Sequence, residues 1–328
     1  MKKITLTILS AIVFCTSAST ATDFSLGVIN NNSSKNLAET KDKRSEIAKQ
    51  FNFIPMWEWK KGMKFIPQED EYDIGFDIPL KPYKSESYYA KNLKNSDYSG
   101  KIFEVDRVEE RHVSCPRGDC IRTYVVFSVE GEDQLYEYEF TGSKSEMKNA
   151  SSDAFQQISN LQYIGDILKA RKLLIGKTFY IMTRMWRGDS ASRNDCRKYI
   201  PVKVLNIGFS NDDFNDTSIA FETSDGVKAY VDVTLGGTNI PSDYKDSDVS
   251  NSFDELFSLD DPRRKYKGRA EMWDAITRGV VKIGMTEDEV VWSWGSPEKI
   301  NESYPGPDQW VYDSKCLYFE GGKLTAFN

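Results

Sequence analysis

An internal repeat constrains the fold of this chain more than any other feature of its sequence. The segments SGKIFEV (99–105) and IGKTFYI (175–181) share Gly, Lys and Phe at an offset of 76 residues. The same offset aligns RGDC (117–120) with RNDC (193–196), and a strand-like run follows each cysteine. Two copies of one β-meander are the simplest explanation of this pattern. We therefore predict an α+β fold that contains two related β-meander or small-barrel units.

The cysteines of the repeat predict a disulfide in the first copy only. Cys115 and Cys120 flank four residues, a spacing at which a cross-strand disulfide forms easily and stabilises by about 2 kcal/mol. The second copy has Ala191 where the first has Cys115. Cys196 is therefore either a free thiol or the partner of Cys316, and the sequence leaves both alternatives open. Both cysteine turns are predicted to be hairpin tips.

Two short patterns near these cysteines suggest functions that we do not favour. The RGD tripeptide at 117–119 is typical of adhesion motifs, but the aligned copy reads RND at 193–195, so the repeat does not retain it. His112 with Cys115 and Cys120 lacks the fourth ligand that a structural zinc ion needs. We interpret His112 as an ordinary strand or loop residue, and we predict no metal and no cofactor.

The N-terminus has the three-part layout of a secretory signal peptide. Two lysines precede an apolar run from Ile4 to Cys15, and small residues follow, with cleavage predicted near Ala21. The run is too short to cross a bilayer, and no later run reaches 18 apolar residues, so we expect no transmembrane helix. Cys15 follows the bulky Phe14, whereas lipid-modification sites have a small residue there. We predict an exported protein of the periplasm or cell envelope.

Charge and cysteine count narrow the partners and the compartment. Without the first 21 residues, 41 basic and 50 acidic residues remain, a formal net charge of −9. This balance disfavours nucleic acid and anionic membrane surfaces as partners. Export permits disulfides, and the four cysteines that remain allow three connectivities.

Composition shifts divide the rest of the chain into segments. Residues 22–50 are polar and almost free of aromatic side chains, which predicts a tether. Near-helical spacing of apolar residues predicts a helix between the two β units; these residues are Phe155, Ile158, Leu161, Ile164, Ile167 and Leu168. The predicted order after the tether is β unit 1 (51–150), connecting helix (151–174), β unit 2 (175–240), linker (241–265) and C-terminal domain (266–328).

The C-terminal domain has the most specific local signals. Thr286 and Glu289 form a capping box that starts the second of two short helices, with Met285 and Val290 as its hydrophobic staple. Three strands follow, and the Gly-Gly pair at 321–322 predicts a tight hairpin between the last two.

That turn also predicts the register of the last hairpin. It places Glu320 opposite Lys323, Phe319 opposite Leu324 and Leu317 opposite Ala326, which gives one apolar face for the helices to cover.

This ααβββ order, with the segments IGMTEDEVVWSWGSP and QWVYDSKCLYFEGGKLTAF, resembles the BamE-like (SmpA/OmlA) domains of bacterial envelope proteins. The resemblance covers residues 266–328, and the same layout occurs in beta-lactamase inhibitory proteins. It implies a non-catalytic domain that acts by protein contact, in outer-membrane assembly complexes or as an inhibitor. Unlike the assembly lipoproteins, this chain has no evident lipidation cysteine and carries large additional β units.

We therefore predict a non-enzymatic envelope protein that acts as a protein-interaction or scaffold module. The candidate contact residues are Trp292, Tyr304 and Trp310, and the partner is an unidentified envelope protein, with peripheral contact to outer-membrane proteins as one route. Trp292 lies away from the apolar sector of its helix, so it is either exposed or packed against a neighbouring domain.

An alternative function places the activity in the β units, as a glycan-binding protein or a carboxylate-dependent hydrolase. The chain has one histidine and no GxSxG, HExxH or P-loop motif, which disfavours the common catalytic classes. Acidic stretches at 69–73, 211–216 and 242–248 do not match a calcium-binding EF-hand and are interpreted as solvated surface. A sugar platform would draw on Trp57, Trp59, Trp186 and Trp310, although aromatic residues in strands and helices are more often core.

Overall fold

The structure of the protein is a computed structural model. The structure describes residues 42–68, 77–85, 91–116, 118–149, 157–188, 196–210, 215–240, 251–302 and 306–328. The predicted signal peptide, most of the predicted tether and Tyr304 lie outside these residues. None of the helices described is both long and apolar enough to cross a membrane.

The chain is a mixture of helices and strands, and its class is α+β. The helices are α1 (Asn95–Tyr98), α2 (Lys144–Asn149), α3 (Ile164–Leu174), α4 (Phe253–Leu256), α5 (Trp273–Thr277) and α6 (Glu287–Trp294). The strands of the N-terminal half are β1 (Lys64–Pro67), β2 (Asp77–Ile78), β3 (Lys81–Pro82), β4 (Leu93–Lys94), β5 (Phe103–Cys115), β6 (Gly118–Val129), β7 (Leu135–Thr141) and β8 (Leu161–Tyr163). Those of the C-terminal half are β9 (Thr178–Ile181), β10 (Ile200–Phe209), β11 (Thr217–Thr223), β12 (Lys228–Val233), β13 (Phe257–Ser258), β14 (Lys299–Asn301), β15 (Asp308–Tyr312), β16 (Lys315–Glu320) and β17 (Lys323–Phe327).

The strands form curled half-barrel sheets, and the two β units have separate hydrophobic cores. The first β unit has the strand order β3-β7-β6-β5-β1-β8, and the second has the order β12-β11-β10-β9-β13. In β11 alternate residues are buried, as a sheet covered on one face requires, whereas five consecutive residues of β6, from Thr123 to Phe127, are all buried. In the second unit, α3 contributes Ile167, Ala170 and Leu174 to the core.

The repeat seen in the sequence has a structural counterpart. In each unit a helix ends at a glycine with positive φ, Gly100 (73°) or Gly176 (80°), and the next strand begins two or three residues later. These two strands, β5 and β9, hold equivalent central places, and each pairs on its far side with a short antiparallel strand. The aligned phenylalanines, Phe103 and Phe179, are both fully buried.

The N-terminal boundary of the first β unit differs from the prediction. Residues 42–50, assigned to the tether, are ordered: the Ser45 amide donates to the Asp254 carboxylate at 2.7 Å. Phe51, assigned to the first unit, is buried in the core of the second. An aromatic side chain close to a polar segment gave no indication of which core it enters.

The predicted linker and connecting helix are also shorter than expected. Residues 251–258 form α4 and β13, and β13 pairs with β9 of the second unit. Their apolar side chains belong to the second core, namely Phe253, Leu256 and Phe257. The connecting helix begins only at Ile164, because Leu161 lies in β8 and pairs with β1. Leu168, predicted to face the core, is 56% exposed.

The disulfide Cys115–Cys120 is present and closes the tip of the β5–β6 hairpin. Cys196 is different: it lies in the β9–β10 connection with its thiol buried in the second core, so the prediction of a cysteine at a second hairpin tip is wrong. Neither Cys196 nor Cys316 forms a disulfide in the part of the chain that the structure describes. His112 is an exposed residue of β5.

The C-terminal segment combines α5 and α6 with the sheet β14-β15-β16-β17. The capping box of Thr286 and Glu289 is present, and Met285 and Val290 are both fully buried. The short edge strand β14 was not predicted. It carries three residues, too few for an alternating pattern to be recognised.

The register of the last hairpin follows the prediction only near its turn. Glu320 lies opposite Lys323 and Phe319 opposite Leu324, but Leu317 lies opposite Phe327 rather than Ala326. A β-bulge between Tyr318 and Phe319 shifts the pairing by one residue.

Candidate functional site

The candidate site begins in a basic stretch of an otherwise acidic chain. Residues 262–269 read PRRKYKGR and carry five cations with no acidic residue. Asp261 caps a short 3-10 turn at Pro262–Arg264, accepting the Arg263 amide at 2.9 Å. The basic stretch therefore begins in this turn, beside the C-terminal sheet and helices.

An ion pair between the exposed Arg269 and the buried Glu289 anchors this stretch to α6. Glu289 accepts hydrogen bonds from the Arg269 guanidinium at 2.6 and 3.0 Å and from the Arg269 amide at 2.9 Å. The Thr286 amide donates to the same carboxylate at 2.9 Å. Burial alone would raise the pKa of Glu289, but these donors lower that pKa to about 2. Both charges of the pair are therefore held at neutral pH, and the pair fixes the path of the basic stretch.

Four aromatic side chains pack together beside this ion pair. They are Tyr199 from the second β unit and, from the C-terminal segment, Tyr266, Trp273 and Trp292. Ring centroids are 5.0 Å apart for Tyr266–Trp273 and 5.4 Å apart for Tyr199–Trp292. Tyr199 reaches the cluster from a left-handed backbone conformation (φ 62°), which is uncommon for an aromatic residue.

A groove of about 630 Å³ opens between the basic stretch, the start of α6 and the start of β17. Trp292 lies at its apolar side, and its polar lining includes Lys265, Lys267, Lys323 and Asp288. The Gly321-Gly322 turn places Lys323 here, through the antiparallel bridge from Lys323 to Thr286.

The charges of the groove are unbalanced. Arg269 and Glu289 neutralise each other, whereas Lys265, Lys267 and Lys323 are exposed and form no ion pair with any residue that the structure describes. Asp288 is the exposed acidic side chain on the lining. The groove thus offers three exposed ammonium groups beside an indole ring, which suits an anionic ligand with an apolar part.

The three predicted contact residues have different positions. Trp292 is half-buried: its ring packs on Tyr199 of the neighbouring unit, and it also lines the groove. Trp310 is only 6% exposed and packs on Phe319 at 4.5 Å, so it is core and not a contact surface. Tyr304 lies outside the described residues.

Sequence reasoning missed the basic stretch, because residues 262–265 had been assigned to the linker. The available signal was charge: five cations in eight residues stand out in a chain of formal net charge −7. Lys323 could not be associated with them from sequence, since it lies more than fifty residues further along the chain.

The tryptophans and acidic residues that suggested a site in the β units do not form a common surface site among the described residues. Trp59, Trp186 and Trp310 are buried in three different cores, and Trp57 packs against the first of them. Within the described ranges, no three His, Cys, Asp or Glu side chains are grouped to hold a metal ion. The acidic stretches 69–73 and 242–248 lie outside those ranges.

Comparisons of the chain with protein-family models, with curated proteins and with solved structures give no match.

Proposed function

We propose that this chain is an exported, non-enzymatic interaction protein of the bacterial cell envelope, and that its C-terminal groove binds an acidic segment of a partner protein. The observation that carries the proposal is the set of three exposed lysines without ion pairs beside Trp292. The resemblance of residues 266–328 to BamE-like domains, which act by protein contact, supports the same function.

Charge complementarity determines the class of partner. Lysine ammonium groups attract carboxylates, and their effect on association is strongest where few opposite charges compete. The indole of Trp292 adds an apolar contact of the kind enriched at interface centres. An acidic segment with one aromatic or aliphatic side chain therefore matches the groove.

The proposal is tested with a charge-reversal variant of the chain without its first 21 residues. Lys265→Glu, Lys267→Glu and Lys323→Glu are combined, and the matched control changes three exposed lysines elsewhere, Lys60, Lys172 and Lys203, to Glu. The probe is a panel of fluorescent 12-residue peptides rich in Glu with one Trp or Leu, measured by fluorescence anisotropy at 50 and 300 mM salt.

We expect at least one peptide to bind the unmodified chain, with affinity that falls as salt rises. The groove variant should lose tenfold or more, about 1.4 kcal/mol, and the control variant less than threefold. Trp292→Ala should weaken binding without removing its salt dependence. Equal binding by the groove and control variants would contradict the proposal.

A cross-linking experiment in the cell envelope then identifies the partner. The unmodified chain and the two triple variants are compared, and cross-linked peptides are located by mass spectrometry. The proposed function requires a protein whose cross-links map to residues 265–269 or 323 and are lost in the groove variant alone.

A further inference from the structure

The segment 42–54 lies across the seam between the two β units. Its Phe51 side chain is 1% exposed in the second core. The Ser45 amide donates to Asp254 at 2.7 Å, and the Ile54 amide donates to the Thr238 hydroxyl at 3.2 Å. These contacts fasten both ends of the segment to the second unit, just before the chain enters the first.

A carboxyl group without a hydrogen-bond partner lies beneath the middle of this segment. Asp166, in the first turn of α3, is 8% exposed, and its Oδ2 has no hydrogen-bond partner among the described residues. A Cβ added to Gly236 would lie 2.1 Å from this oxygen and 3.2 Å from the Asn52 carbonyl oxygen. Helix α3, the loop after β12 and the N-terminal segment thus meet at Asp166 with no spare volume.

A second carboxyl group, that of the partly buried Asp216, lies next to the first, and its surroundings are different. Asp216 accepts the Leu235 amide at 2.9 Å, the Gly237 amide at 2.8 Å and the Thr217 hydroxyl at 2.8 Å. Burial raises the pKa of Asp216, and these donors oppose that rise. Because no described residue donates a hydrogen bond to Asp166 Oδ2, a proton held by the pair resides on Asp166.

Burial and the charges around Asp166 together favour its protonated form. Burial first, and then the charge of Asp216, raise the pKa of Asp166 to about 7. Lys169, one turn along α3, lowers it, but the Lys169 ammonium is engaged by the Gln50 carbonyl oxygen of the N-terminal segment. Tyr163, before the helix, keeps its hydroxyl proton, because burial and Asp166 raise its pKa.

We propose that the protonated Asp166 carboxyl, packed between Asp216, Gly236 and the Asn52 carbonyl, is a pH-dependent latch that holds the segment 42–54 across the seam. When Asp166 ionises, two carboxylates face each other and the Asn52 carbonyl dipole in a buried space. Release of the segment lets water reach Asp166 and removes the repulsion.

The direction of the pH dependence follows from proton linkage. The docked state binds one more proton than the released state, in which Asp166 has an ordinary carboxyl pKa near 3.8. Docking is therefore most stable below that pH and weakens as the pH rises towards about 7. Above that value both states are ionised, and the stability becomes constant.

Hydrogen exchange measured by mass spectrometry tests the latch in the chain without its first 21 residues. Peptides covering 42–54 are followed from pH 5 to 8.5, with correction for intrinsic exchange. We expect protection to fall by up to about tenfold per pH unit between pH 5 and 6.5 and to level off above pH 7. In Asp166→Asn, which cannot ionise, protection should not depend on pH over this range.

Two further variants separate the latch from general destabilisation. Asp254→Asn weakens a second contact of the same segment, so it should lower protection but keep the pH dependence. Gly236→Ala should lower protection at every pH, since its methyl group displaces the Asp166 carboxyl. A pH dependence that persists in Asp166→Asn, or protection in the unmodified chain that does not vary with pH, would overturn the proposal.

If Asp166→Asn does not fold, the unmodified chain still gives an answer. The carboxyl carbon of Asp166 is followed by NMR together with the amide signals of residues 42–54. A common midpoint near pH 7 supports the latch, and a midpoint below pH 5 overturns it. Neither experiment uses the groove or a partner, so the outcome is independent of the proposed function.

Discussion

The two β units share a sequence pattern but use its cysteine in different ways. In the first unit, Cys120 lies at the hairpin tip and is joined to Cys115, so the tip is covalently closed. In the second unit, the aligned Cys196 is a buried thiol whose Sγ contacts the Trp186 carbonyl oxygen at 3.5 Å. The difference has a structural basis: β5 and β6 extend over 13 and 12 residues, whereas β9 has only four.

This comparison separates the conserved and variable parts of a duplicated fold. The helix end, the glycine with positive φ and the buried phenylalanine keep their places in both units, because each is needed to start the central strand. The hairpin tip carries no such requirement. It extends from the sheet as a long hairpin in the first unit, whereas in the second unit Cys196 lies in the connection between β9 and β10 with its side chain in the core.

The largest expected loss of stability comes from replacing the two aligned phenylalanines, and it tests whether they have equivalent roles in the two units. Phe103→Ala and Phe179→Ala each remove a fully buried ring from a separate core, and each should lower the free energy of unfolding by about 3–5 kcal/mol. Urea denaturation followed by circular dichroism measures both. A loss below 1 kcal/mol for either one would show that the two cores do not share this anchor.

Removal of the disulfide should have the next largest effect, and only in the first unit. The double variant Cys115→Ser, Cys120→Ser should lower the free energy of unfolding by about 2 kcal/mol, since the unfolded chain gains the freedom of a short loop. Hydrogen exchange should increase in residues 106–124 and stay unchanged in 200–209. Equal increases in both segments would mean that the hairpin tip stabilises more than its own unit.

Replacing the aligned glycines should lower the free energy of unfolding by a smaller amount, and by the same amount in the two units. Gly100→Ala and Gly176→Ala place a side chain at positive φ, where an added Cβ contacts nothing within 4 Å. Backbone strain alone therefore applies, about 1 kcal/mol in each case. Thermal unfolding compares the two variants directly, and a difference above 1 kcal/mol would contradict the structural equivalence of the turns.

The smallest effect concerns the two cysteines outside the disulfide, Cys196 and Cys316, which should differ in reactivity but contribute little to stability. Without reductant, Cys316 should react with a maleimide in the native protein, while Cys196 should react only after unfolding, because it is buried. Cys316→Ser should change the free energy of unfolding by less than about 0.5 kcal/mol. Intact-mass measurement counts the labels on the chain without its first 21 residues, which lacks Cys15, and two labels on that native protein would contradict the burial of Cys196.

Features set by neighbouring residues could be predicted from the sequence. The capping box at Thr286, the Gly321-Gly322 turn and the Cys115–Cys120 disulfide each depend on a few adjacent positions. The mixed helix and strand class followed from the repeat and from strand-like runs.

Features that depend on distant parts of the chain could not be predicted. The sequence around Trp310 does not show that its ring lies in the core that it shares with Val290 of α6. The groove joins Lys265 and Lys267 to Lys323 only after the last hairpin has folded against α6. The burial of Asp166 depends on three segments that meet, and its sequence context is that of an ordinary acidic residue in the first turn of a helix.

The docking of the N-terminal segment on the second core sets an order of folding. The hydrogen bond from Ser45 to Asp254 joins residues 209 positions apart in sequence. At a synthesis rate of roughly 5–20 residues per second, Ser45 waits on the order of 10–40 s before Asp254 exists. The first β unit is complete by residue 163, so it can form as an insertion within a second unit that still lacks its later strands. Residues 42–51 are therefore synthesised early but reach their final positions late. Phe51 has no core to enter until the second sheet has formed.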